Sequence, residues 1–228
     1  MTVRVAGLVL TGLMALAAIA GAAEPGFSRS LTPGLIAHYE RLFGSGVGGR
    51  LRGWQEFVRR TDGAPAADAK GLGEAQMLAP VNKFFNRLRS MTDQDLWGVE
   101  DYWATPAETL SINGADCEDY AIAKYFTLKE LGVPVARLRL VYATTWLSKN
   151  AHLVLAYYPA GGADPLILDN VEERIKPAGD RPDLTPVFTF NDDDVQMPQK
   201  NAPAVRFGPG SNRKWASVLA KLQRELEY

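Results

Sequence analysis

The sequence predicts an α+β fold, and three observations carry that prediction. Helical spacing of apolar residues fills most of the stretch 28–90. Short apolar runs of strand length fill 135–190. The two kinds of segment do not alternate as βαβ units require. Residues 28–60 place Leu35, Ile36, Tyr39, Leu42 and Phe43 three and four apart. A glycine break follows, and then Leu51, Trp54, Gln55, Phe57 and Val58. The break, Gly44-Ser45-Gly46-Val47-Gly48-Gly49, satisfies G-x-G-x-x-G. A dinucleotide site needs a strand before that motif, and here a helix precedes it, so the glycines are assigned to an interhelix loop. Thr61 to Gly73, rich in Ala, Asp, Gly and Pro, reads as a flexible connection. Ala75 to Arg89 is helical again through Met77, Val81, Phe84, Phe85 and Leu88.

Residues 91–110 show no clear period, so a loop or short turns are expected, packed by Trp97, Tyr102 and Trp103. Asp116 to Leu131 is the strongest helix. Asp116 stands at its N-cap and Asp119 at the capping-box position; Ala121, Ile122, Tyr125, Leu128 and Leu131 form an apolar stripe, and Gly132 and Pro134 stop it. Strands are expected at Val135–Thr144, Ala151–Tyr158, Leu166–Leu168 and Val187–Phe190, and an amphipathic helix at Asn212–Leu226. No internal repeat is present.

Composition narrows the function. The 228 residues are 46% hydrophobic and 22% charged, which is ordinary for a globular chain. With Lys+Arg 25 against Asp+Glu 26, a net charge of −1 supplies no field for nucleic acid or an anionic membrane. Residues 1–23 have a basic start, an apolar run and small residues at 20–23, the pattern of a secretory signal; an uncleaved anchor is the alternative. One domain is expected over 24–228, helical over 24–90 with a core over 91–228. Cys117 is the one cysteine, so no intrachain disulfide can form, and one cysteine with two histidines cannot build a Cys₄ or Cys₂His₂ zinc site.

A thiol in an exported chain at the first position of a helix sits near unpaired N–H groups that favour thiolate. It needs a base, and the choice is between two histidines. His38 lies among N-terminal helices and reads as structural. His152 opens the strand Ala151–Tyr158. If Pro159 to Gly162 form a four-residue turn, Tyr158 pairs with Ala163 and the ladder sets His152 opposite Asp169, within reach of an imidazole–carboxylate hydrogen bond. A register slip would disturb this pairing, and Asp164 is the competing acid. Cys117, His152 and Asp169 then form the order nucleophile, base and orienting acid used in acyl transfer.

The run Asn113-Gly114-Ala115-Asp116-Cys117-Glu118-Asp119-Tyr120-Ala121-Ile122-Ala123-Lys124-Tyr125, with Leu131-Gly132-Val133-Pro134, His152-Leu153-Val154-Leu155, Leu168-Asp169-Asn170 and Phe188-Thr189-Phe190-Asn191, resembles the bacterial transglutaminase-like cysteine proteinases of the LapG type. The resemblance runs from about Trp97 to Asn191 and is weaker over 24–90. It implies a papain-like core with Cys117, His152 and Asp169 as the triad. It also implies a periplasmic protease that cleaves the N-terminal region of a large surface adhesin between two alanines in a calcium-dependent way, promotes biofilm dispersal, and is controlled by an inner-membrane cyclic di-GMP receptor. A protein-glutamine transglutaminase, or a non-catalytic binding module on the same scaffold, are the alternatives.

The same run carries a metal expectation. Asp116, Glu118 and Asp119 crowd carboxylates against the thiol, and like charges there raise its pKa and oppose the helix dipole. Calcium held by Asp116 and Glu118 would offset them, with Asp119 turned back to the backbone as a capping-box residue. The alternative is that the three acids only cap the helix.

Overall fold

Four of the helices in the described residues begin where a side chain satisfies their first amides. The computed structural model describes residues 31–62, 72–146, 151–200 and 202–228; the signal-type segment and most of the 61–73 connection lie outside them. Thr32 accepts from the Leu35 amide and Pro33 opens α1 (Pro33–Phe43), which Gly44 ends at φ 93. Helix α2 (Val47–Asp62) starts within the glycine-rich run, so Gly48 and Gly49 are helical rather than in the expected loop. A Cβ on Gly48 would meet only the ends of the Glu40 and Arg52 side chains, which can move aside, so helix start rather than close packing accounts for its place. Helix α2 buries Leu51, Trp54 and Val58, and helix α3 is Leu72–Phe85.

The segment expected as loop or turns holds β1 (Arg89–Ser90) at its threshold and two short helices, α4 (Asp93–Trp97) and α5 (Pro106–Ile112). Helix α5 corrects the sequence reading. Seven residues are too few to show a period, but its capping box is complete: Thr105 Oγ1 accepts from the Glu108 amide at 3.1 Å, and Glu108 Oε2 from the Thr105 amide at 2.8 Å. Strand β2 (Gly114–Ala115) pairs in parallel with β1 and leads into α6 (Cys117–Glu130). Every residue of α6 from Asp119 to Leu128 is buried, so the expected stripe is one side of a core helix rather than an amphipathic one. It packs against α3, α5 and two strands, β3 (Leu138–Thr145) and β4 (Ala151–Tyr157). The positive φ of Gly132, 90°, lets the chain turn off its end.

Strands β5 (Leu166–Leu168), β6 (Lys176–Pro177), β7 (Leu184–Phe190), β8 (Val195–Gln199) and β9 (Ala202–Phe207) complete an antiparallel sheet in the order β6-β5-β4-β3-β7-β8-β9. Helix α7 (Arg213–Glu225), capped by Asn212, presses Trp215 against Tyr125 and Phe126 of α6. The chain is therefore α+β, as the sequence predicts: helices on an antiparallel sheet, with α6 between them. Among the described residues no helix is long and apolar enough to cross a membrane.

Candidate active site

The position of the thiol is set by the chain just before it. Helix α5 ends at Asn113 in the left-handed region, φ 58. Gly114 then passes so close to α4 that a Cβ would lie 2.8 Å from Leu96 Cδ2, and the bridge to β1 holds it there. Asp116 becomes the N-cap and Cys117 the first helical residue. The capping box expected of Asp116 and Asp119 is not formed. The Asp116 side chain makes no cap hydrogen bond, and Asp119 accepts from the Ala104 amide at 2.8 Å instead. Aspartate is one methylene shorter than the glutamate that closes such a box, and the fully buried Asp119 takes the amide within its reach.

Base and acid come from the next two strands. Tyr157 pairs with Leu166 and Leu155 with Leu168, two residues out of the expected register, because the turn is longer than four residues. An even displacement preserves the face of every side chain, whereas a slip of one would reverse it. His152 and Asp169 therefore remain diagonal neighbours, and His152 Nε2 lies 2.8 Å from Asp169 Oδ1. Asp169 is 1% exposed. Burial alone would raise its pKa, but the hydrogen bond and charge of His152, the Val171 amide and Arg181 hold it well below the usual carboxylate range. Since an ionised carboxylate only accepts, Nε2 carries the proton in this bond and leaves Nδ1 as the basic nitrogen. Asp164, the competing acid, accepts from the Gly179 amide at 2.6 Å instead.

Cys117, His152, Asp116, Asp93, Asn170 and Val171 line one groove of about 460 Å³. The Cys117 Sγ is 3.0 Å from Glu118 Oε2. Burial first, then the Glu118 charge and hydrogen bond, push the thiol pKa up, while the Leu153 amide pulls it down. The favourable field of the helix N-terminus is thus outweighed by burial and by acid.

That acid is more extensive than the sequence reading saw. One carboxylate oxygen each from Asp93, Asp116 and Asp119 lie within 4.8 Å of one another, as do those from Asp93, Asp101 and Glu118. Asp116 and Glu118 belong to different groupings, joined by Asp93, a residue absent from the sequence-based list. Its signal was an aspartate in the first turn after a Thr92 cap, 2% exposed. Asp93 Oδ1, Asp116 Oδ1 and Asp119 Oδ2 are buried without a hydrogen-bond partner. Burial, then Glu118, Asp119 and Asp93, push the Asp116 pKa up to about 9, and burial raises those of Asp93 and Asp119. Crowded, orphaned carboxylate oxygens are the donor set of a hard divalent cation.

The aromatics pack. Trp97 and Tyr102 have ring centroids 4.5 Å apart, and Trp103 stacks on Phe190 at 5.6 Å. His38 lies against Tyr228 with ring centroids 4.5 Å apart and does not line this groove.

Residues 53–182 match the family described as bacterial transglutaminase-like cysteine proteinase, more than half of the 228-residue chain. Among solved structures, Legionella pneumophila LapG treated with EGTA is similar with a TM-score of 0.68 and 32% identity over 82% of this chain and 97% of that one. Calcium-bound Legionella pneumophila LapG is similar with a TM-score of 0.64 and 32% identity over 82% of this chain and 98% of that one. No curated protein matches the chain.

Proposed function

Because the chain belongs to the bacterial transglutaminase-like cysteine proteinases, we propose that it is a calcium-dependent endopeptidase with Cys117, His152 and Asp169 as nucleophile, base and orienting acid. The observation that carries this reading is the 2.8 Å His152–Asp169 bond beside a groove shared with a thiol at a helix N-terminus. Nδ1 of His152 takes the thiol proton as sulfur adds to a peptide carbonyl carbon. It returns that proton to the departing amine, leaving a thioester on Cys117. It then draws a proton from the water that hydrolyses the thioester. Asp169 stabilises the imidazolium formed at each transfer.

Asp93, Asp116, Asp119 and Glu118 would hold calcium, in keeping with the calcium-bound form of Legionella pneumophila LapG. Bound there, the ion supplies positive charge that neutralises the carboxylates now favouring the protonated thiol. The substrate in this reading is the N-terminal region of a large surface adhesin, cut between two alanines in the periplasm after removal of residues 1–23, which promotes biofilm dispersal. Control by an inner-membrane cyclic di-GMP receptor belongs to the same reading. All of these follow from the sequence resemblance.

The test is to incubate the protein with an adhesin N-terminal fragment and a labelled amine, with calcium and with chelator, and to sequence the products. Two fragments in calcium alone, with no label incorporated, support the reading. Amine incorporation without cleavage identifies a transglutaminase, and neither outcome in calcium identifies a binding module.

A further inference from the structure

Asp169 is held at both oxygens, and only one of them by the proposed base. Its Oδ1 accepts from His152 and from the Val171 amide at 3.0 Å, while its Oδ2 accepts from Arg181 Nη2 at 2.8 Å. Arg181 is 6% exposed, and its own orientation is fixed: Nε donates to Asp183 Oδ1 at 2.9 Å and Nη2 to Asp183 Oδ2 at 2.7 Å. The Arg181-Pro182-Asp183 order keeps that fork local, and the Trp146 amide, donating to the Asp183 carbonyl at 3.3 Å, ties it to the end of β3.

We infer that Arg181 is a positioning residue that keeps Asp169 ionised and aimed at His152, with Asp183 setting the plane of the guanidinium. This rests on the triad reading above. A carboxylate 99% removed from water needs a compensating charge, and a neutral imidazole provides none between turnovers. Arginine suits the task because its planar fork serves two carboxylates at once, where lysine offers a single point of charge.

The other groups facing Asp169 do not substitute. Lys124 of α6 is buried with no hydrogen-bond partner for Nζ, and burial pushes its pKa down to about 7, against the opposing pull of Asp169 and Glu173. Asn86, in the turn after α3, is neutral and donates to the Asp169 carbonyl at 2.9 Å. With Arg181 removed, the Asp169 carboxylate is free to turn from His152 and to take up a proton at higher pH.

The chain has two histidines, so their ring nitrogens are readily assigned in a ¹⁵N spectrum of the full-length protein. The wild type is expected to hold His152 in the Nε2–H tautomer. Arg181→Met is expected to mix the tautomers. It should also slow iodoacetamide alkylation of Cys117 at pH 6 by about tenfold, as a one-unit displacement of the acidic limb requires. Arg181→Lys restores most of both signals. A folded Arg181→Met protein with wild-type tautomer and alkylation profile overturns the inference. If Arg181→Met does not fold, Asp183→Asn decides: an intermediate change in both signals supports it, and no change overturns it. His152→Ala without effect on alkylation would sink the triad reading alone, since the tautomer signal still judges Arg181.

Discussion

The Cys117 thiol donates to the carboxylate next to it in sequence, Glu118, at 3.0 Å. That contact holds the proton on sulfur in the groove where a protease needs it to leave. Burial acts in the same direction and more strongly, so two influences must be reversed before the thiol attacks. His152 removes the proton; charge compensation at the carboxylates removes the reason for keeping it.

Calcium should therefore raise the alkylation rate of Cys117 by iodoacetamide at pH 7 at least about tenfold over chelator, since a one-unit fall in thiol pKa does this. Glu118→Gln should alkylate faster than wild type in chelator, having lost the negative charge beside the thiol, yet respond little to calcium. Calorimetry should find calcium affinity weakened by Asp93→Asn, Asp116→Ala and Glu118→Ala. Normal affinity in all three variants would refute the assignment.

His152→Ala should reduce cleavage by a factor on the order of 10³ or more, as loss of a general base does in related chemistry. Asp169→Asn should keep more activity, because an amide can still accept from Nε2–H. Measured kcat values equal to wild type in either variant would remove that residue from the mechanism.

Without calcium, stability should fall as pH rises from about 4.5 to 9. Burial pushes Glu225 up to about 7, and burial with neighbouring acids pushes Asp116 up to about 9. For such acids the folded chain keeps a proton that the unfolded chain has released, so rising pH favours unfolding across that window. Asp169 acts oppositely, and its contribution is lost only as pH falls well below the usual carboxylate range. Melting temperatures should show the decline, Glu225→Gln should flatten its lower half, and calcium its upper half. A stability that rises from pH 5 to 9 in chelator would contradict these shifts.

Thr105→Ala should cost about 2–4 kcal/mol, adding a lost N-cap to the loss of a buried hydrogen bond to a carboxylate oxygen that keeps only Tyr39 as donor. Thr105 is fully buried, caps α5, and donates to Glu225 Oε1 at 2.6 Å. Urea denaturation measures this directly, and a loss below about 0.5 kcal/mol would mean that the cap is idle.

The long elements were legible in the sequence because their periods are: the α1–α2 pair, α6, β3 to β5, β7 and α7 all lie within a few residues of expectation. Strands β8 and β9 were not, since Pro198 and Pro203 disguise them; β9 is an edge strand, where proline is tolerated. The pairing of His152 with Asp169 was legible although the assumed turn was too short, because the two-residue displacement kept both on one face. Asp93 was not legible. It joins Asp116 and Asp119 only through the crossing of α4 with β2, a contact that local spacing does not encode. Arg181 likewise reaches Asp169 from beyond β6.

The most direct measurement is cleavage of an adhesin N-terminal fragment by the wild-type chain and by Cys117→Ala, both in calcium. Alanine is the best helix former and Cys117 makes no cap hydrogen bond, so the variant keeps the fold. The account predicts two products from the wild type, with new termini at an Ala-Ala pair, and none from the variant. Undiminished cleavage by Cys117→Ala would contradict it.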